Sequence, residues 1–321
     1  MSGDAGLARR LRAKLTLPVM AGPMFIASSP ALVVAQCKAG VIGAMPALNA
    51  RTTAGLEEDL ATIERELAGC EAPFAINLVC HRSNARLDAD LEIVLAHRTP
   101  IVVLALGASA RVVDAIHGYG GLVFNDVANN RHARKCADMG VDGIIAVAAG
   151  AGGHTGSISP FALTQEIREW WRGPLLLAGC IATGRAVLAA EALGADFAYI
   201  GSPFLATSEA NTSAVFKQMV VSAGAEDIVV TKGFTGARAS FLAPSLRANG
   251  LDPDEIARKE NARVDISGEA SHGKAWRDIW SAGQGVGAVK TSAPAGEWIG
   301  GLAREYAQAR AAMGMSAAMR P

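Results

Sequence analysis

The run Ala146-Val147-Ala148-Ala149-Gly150-Ala151-Gly152-Gly153-His154-Thr155-Gly156 places three glycines just before a histidine. Glycine lets a backbone approach a bulky ligand closely, and the imidazole, a group that changes charge near neutrality, is held at the rim. Two further glycine sites, Ala178-Gly179-Cys180 and Gly201-Ser202, each follow an apolar run. Backbone N–H groups at Gly179, Cys180, Gly201 and Ser202, with the Ser202 hydroxyl, could cradle a dianionic phosphate without lysine or arginine. Taken singly, the same features read as a flexible turn with a surface histidine and as strand-end punctuation. A dinucleotide fingerprint fits poorly, because Thr155 stands where the third glycine belongs and Glu169 lies inside a helical pattern. Cys180 has no base beside it to make it a nucleophile. His81, His97, His117, His132 and His272 lack ligand spacing to one another, so no metal centre is expected.

The elements that must position these residues can be counted. Eight apolar, β-branched runs, 18–24, 41–46, 74–80, 101–107, 122–127, 143–150, 175–180 and 197–205, alternate with helical patterns. Near-continuous apolar strands suit a parallel sheet covered on both faces. Ser29-Pro30 reads as a helix N-cap and first turn, and Gly40, Gly140 and Gly194 as helix ends in the left-handed conformation. The count points to an α/β TIM (β/α)8 barrel, with an open doubly wound sheet as the rival. In a barrel the active site lies at the C-terminal strand ends, and the loops after strands seven and eight often hold phosphate. The rhythm changes after Leu205. The expected organisation is a barrel over 1–215, a smaller, mainly helical appended substrate or cap domain over 216–289, and a last helix within 290–321 that returns to the barrel. Trp276 and Trp280, four apart, would share one helix face and serve packing.

Composition bounds the function. The chain has 321 residues, 50% hydrophobic but only 5% aromatic, with 35 glycines and equal numbers of acidic and basic residues, 30 each. A zero net charge without a basic stripe argues against a nucleic-acid partner, and the apolar content argues against disorder. The five cysteines form no CxxC pair, which suggests neither a disulfide framework nor a zinc site and fits a cytoplasmic location. The apolar stretch 15–35 loosely imitates a secretory signal, but its prolines and Gly22 interrupt it. No segment supplies the roughly 20 uninterrupted apolar residues of a membrane helix. The low charge content, 19%, leaves room for a homo-oligomer interface.

Several motifs in order along the chain resemble the nitronate monooxygenase (2-nitropropane dioxygenase-like) family. They are Ala21-Gly22-Pro23-Met24, Phe74-Ala75-Ile76-Asn77-Leu78, the segment 151–156, Ala178-Gly179, Gly201-Ser202-Pro203-Phe204 and the segment 280–287. The resemblance implies an FMN-dependent barrel acting on a small molecule and O2. It places Gly22, Pro23 and Met24 beside the flavin ring, with Asn77 and Val79 near it and Gly152 approaching it. Asn125 would be a polar contact, Ala178, Gly179, Cys180, Gly201 and Ser202 would hold the phosphate, and His154 would be the catalytic base. The sequence departs from the family at Asn125-Asp126, where several relatives carry a basic or differently polar residue, and at Cys180, which replaces a frequent glycine. The implied reaction is oxidation of an alkyl nitronate or nitroalkane by O2. An NAD(P)H-dependent flavin reductase of quinones or enoyl thioesters is the alternative within the same resemblance. A non-catalytic barrel that binds a phosphorylated metabolite is the alternative outside it.

Overall fold

Eight of the apolar runs form parallel strands that hydrogen-bond side by side. The computed structural model describes residues 3–234, 236–258 and 277–314. The strands are β1 (Val19–Ala21), β2 (Gly43–Pro46), β3 (Phe74–Val79), β4 (Ile101–Ala105), β5 (Leu122–Val127), β6 (Gly143–Val147), β7 (Leu175–Ala178) and β8 (Phe197–Ile200). From β2 onward each pairs with the next in parallel, β8 pairs with β1, and a parallel bridge between Met20 and Ile42 closes the circle. The chain is a TIM barrel, and the open-sheet alternative is set aside by that closure.

Two apolar layers follow from strand alternation. Met20, Ile42, Ala44, Ala75, Ile101, Val103, Phe124, Ile145, Leu176 and Phe197 form the interior cluster, joined by Leu7, Ala8 and Leu11 of the helix Ala5–Arg12. The alternate residues, among them Val102, Leu104, Val123, Ile144 and Leu177, meet the outer helices through Leu32, Leu60, Val113, Leu163 and Val187. Small aliphatics fill both layers, as the scarcity of rings requires.

The helix punctuation behaves as its residue types dictate. Ser29 caps the helix Pro30–Lys38 by accepting a hydrogen bond from the Leu32 N–H, with Pro30 in the first turn. Gly40, Gly140 and Gly194 have φ of +84°, +87° and +100°, the region that favours glycine. β8 is shorter than the run 197–205, because the chain turns at Gly201 into a short 3-10 helix, Ser202–Ala206.

Beyond the barrel the chain is not helical alone. Ile228–Thr231 and Ala239–Leu242 pair antiparallel, and Gly153–His154, from the loop after β6, adds a third strand. The helix Ala295–Ala312 lies on the barrel's outer helices, where the Gly184 N–H donates to Glu305 Oε2 at 2.8 Å and Phe204 meets Trp298 edge to face. Trp280 stacks on Phe216 with ring centroids 4.7 Å apart, and Trp276 lies outside the described residues. No helix among the described residues is long and apolar enough to cross a membrane.

Candidate active site

A cavity of about 290 Å³ opens at the C-terminal ends of the barrel strands. Its volume is at the lower edge of the roughly 300–1,000 Å³ usual for small-molecule sites. The residues that line it follow from the interior layer by a step of two. Ala44 leads to Pro46, Ala75 to Asn77 and Val79, and Val103 to Ala105. On the other side Phe124 leads to Asp126, Ile145 to Val147, Leu176 to Ala178 and Phe197 to Tyr199. Period-2 alternation carries the same face of each strand from the packed interior to the open mouth.

This parity corrects one expectation. Asn125 does not line the cavity; it is buried on the outward face of β5, where its Nδ2 donates to the Asp126 carbonyl at 2.9 Å. The cavity-facing polar residue of that strand is Asp126. Every other residue expected at the site does border the cavity: Gly22, Pro23, Met24, Asn77, Val79, Gly152, His154, Ala178, Gly179, Cys180, Gly201 and Ser202. Asn77 is tied by a bond from its Nδ2 to the Val103 carbonyl, 3.0 Å.

The first loop, 22–28, is held in shape by Asn49. Its Nδ2 donates to the carbonyls of Met24 and Ser28, and its Oδ1 accepts from the Ile26 N–H. Ile26 sits at φ +65°, a costly conformation for a β-branched residue, so the clamp over-determines the loop.

At the ends of β7 and β8 the backbone presents a group of donors. Gly179 and Cys180 both have positive φ, +129° and +60°. Among the described residues, the N–H groups of Gly179, Cys180, Gly201 and Ser202 have no acceptor within the protein. Ser202 Oγ accepts from the Gly283 N–H at 2.7 Å, which leaves its own hydrogen free to donate. No lysine or arginine is among the described residues lining the cavity. An anion placed here would be met by backbone dipoles rather than by cations. Burial raises the Cys180 thiol above its ordinary value, so it is no thiolate nucleophile.

His154 is positioned by two separate pieces of chain, 238–239 and Ser281. It pairs with Ala239 across the small sheet, the neighbouring Gly153 N–H donates to Ser281 Oγ at 2.9 Å, and the Thr155 N–H donates to the Arg238 carbonyl. The segment 281–285 then bridges the rim, with Gln284 N–H on the Gly150 carbonyl. Burial drives the imidazole pKa down to about 4, so it is neutral at pH 7 and can accept a proton. Sequence reasoning passed over Asp126, Tyr199, Phe25, Leu48, Phe216 and Ser281–Gly283 as lining residues. Alternation from the strand assignments would have found Asp126 and Tyr199.

The family model described as nitronate monooxygenase matches residues 83–305, more than half the chain. The chain belongs to the nitronate monooxygenase family. It is similar to a nitronate monooxygenase from Paraburkholderia phytofirmans, 28% identical over 91% of this chain and 92% of the relative. Among solved structures it resembles a nitroalkane oxidase from Streptomyces ansochromogenes, with 26% identity, a TM-score of 0.78, and 94% of this chain and 99% of that one covered. FabK from Thermotoga maritima has the same fold, with a TM-score of 0.79, 24% identity and coverage of 95% and 97%. Membership makes this nitronate monooxygenase family member an oxidoreductase.

Proposed function

We propose that the protein oxidises alkyl nitronates, and the nitroalkanes from which they form, with O2, using FMN bound at the barrel mouth. The observation that carries this reading is the meeting, in one cavity, of a neutral, half-buried imidazole with a set of backbone donors that lack internal acceptors. The donors fit a phosphate monoester, since they supply hydrogen bonds without fixed cations. Gly179, Cys180, Gly201 and Ser202 would hold the phosphate. Gly22, Pro23, Met24, Asn77, Val79, Gly152 and Ala178 would border the ring. When bound, FMN supplies the electron acceptor and the partner for O2, chemistry no side chain of the cavity offers.

The protein's own part is proton handling and exclusion of water. His154 accepts the α-carbon proton of a neutral nitroalkane. A pKa near 4 makes it a weak base in the empty cavity, but the nitronate that forms beside it is an anion, which favours the imidazolium and raises its basicity as the proton moves. A preformed nitronate bypasses that step. Phe25, Leu48, Leu205 and Phe216 line the cavity and provide apolar surface for an alkyl chain.

The test is a comparison of two substrates. His154→Ala should lower kcat/KM for a neutral nitroalkane by about 10²–10⁴-fold, the usual range for a general base, and for the matching nitronate by far less. Equal losses on both substrates would remove His154 from the proton-transfer role.

A further inference from the structure

Two polar side chains at the barrel mouth have atoms with no partner among the described residues. Asp126 Oδ1 and the Tyr199 hydroxyl are both shielded from solvent and make no hydrogen bond, although both residues line the cavity. Asp126 stands on β5 two residues above Phe124, and Tyr199 on β8 two residues above Phe197, so both rise from the packed interior into the floor of the site. A carboxyl oxygen shielded from solvent and left unpaired is costly, and such groups persist where a ligand or a proton completes them.

We propose that Asp126 is a proton-loading group for the cofactor site, carrying a proton when the isoalloxazine ring is bound and offering its carboxyl O–H to that ring. This rests on FMN being the cofactor. The surroundings favour the protonated carboxyl. Burial, with no cation to offset it, pushes the Asp126 pKa up to about 7. The charged or titratable groups that sense it are Tyr199, whose phenol is raised well above its ordinary value by burial and then by Asp126, and Cys136 behind β5, whose thiol is raised to about 11, chiefly by burial. Both stay neutral through the physiological range. Of the other titratable lining residues, His154 is lowered to about 4 and the Cys180 thiol is raised by burial, so neither changes charge around pH 7. Around pH 7 Asp126 is therefore the group in the cavity that changes charge. An ionised Asp126 has no donor on its Oδ1 among the described residues, whereas the carboxylic acid is itself a donor and suits the acceptor oxygens and nitrogens of the ring. Binding then favours the protonated form and takes up a proton above pH 7.

The experiment is FMN binding to the cofactor-free protein, read by fluorescence quenching from about pH 6 to about pH 8.5, for wild type, Asp126→Asn and Tyr199→Phe. The carboxamide introduced by Asp126→Asn keeps an N–H donor of similar shape with no charge. Wild-type affinity should fall about tenfold or more across the range, since each pH unit above the pKa costs about tenfold when only the protonated form binds. Asp126→Asn should hold its low-pH affinity throughout, and Tyr199→Phe should keep the wild-type slope because the phenol does not titrate there. In weakly buffered solution at about pH 8, a pH indicator should report proton uptake when FMN binds wild type and none with Asp126→Asn. Parallel affinity profiles in wild type and Asp126→Asn, with both binding FMN, would overturn the role of Asp126 while leaving the cofactor reading intact. Failure of both proteins to bind FMN at any pH would overturn both.

Discussion

His154 and Asp126 are the two cavity residues whose burial most changes their proton affinity near neutrality, and they do so with opposite sign. His154 is held at about 4 against an ordinary 6.5, so the unfolded chain binds the extra proton, and stability is lost as pH falls from about 6.5 toward 4. Asp126 is held at about 7 against 3.8, so the folded chain binds the extra proton, and stability is lost as pH rises from about 4 toward 7. In the cofactor-free protein the two slopes largely offset each other. Removing either one exposes the other. Asp126→Asn should lose roughly 2 kcal/mol relative to wild type on going from pH 7 to pH 5, and His154→Gln should move in the opposite direction. Urea unfolding midpoints at the two pH values check this, and slopes of the same sign in both variants would contradict it.

At the scale of elements, the site depends on loops held by a few hydrogen bonds. Asn49 ties the loop 22–28 at three points, and Asn49→Ala should cost about 2–3 kcal/mol in urea unfolding and weaken FMN binding, because the loop carries Gly22, Pro23 and Met24 along the cavity. Unchanged FMN affinity in a folded variant would mean that this loop does not border the cofactor. The barrel strands were legible because each is buried on both faces and so reads as one apolar run. The strand Gly153–His154 was not, since it is two residues long and its partner Ala239 lies far away in the sequence. The choice between Asn125 and Asp126 was hidden for a related reason. Side-chain direction in a barrel strand is a matter of parity, and the apolar start of β5, Leu122 to Phe124, covers both faces, so the neighbouring polar residues look alike until the register is fixed. Tyr199 escaped notice inside an otherwise apolar strand.

The whole molecule joins a closed barrel to a cover made from distant parts of the chain. Leu7, Ala8 and Leu11 join the interior cluster, which packs the barrel solid below the cavity, while the small sheet and the segment 281–285 build the wall around His154. His154 is thus positioned by the cover and the backbone donors by the barrel. The many glycines find their use here: Gly283 lies so near the loop after β6 that a Cβ on it would come within 2.6 Å of the Gly150 carbonyl oxygen. Neutral composition matches a cavity whose described lining has no lysine or arginine.

We propose that this cavity holds FMN and passes it the electrons of a nitronate. Anaerobic mixing of the FMN-loaded protein with an alkyl nitronate, and separately with NADH, tests it through the visible flavin absorbance. Bleaching by the nitronate, with colour restored on admitting O2 and little change with NADH, is the predicted result. Rapid bleaching by NADH with none by the nitronate would contradict the claim and assign the site to a flavin reductase.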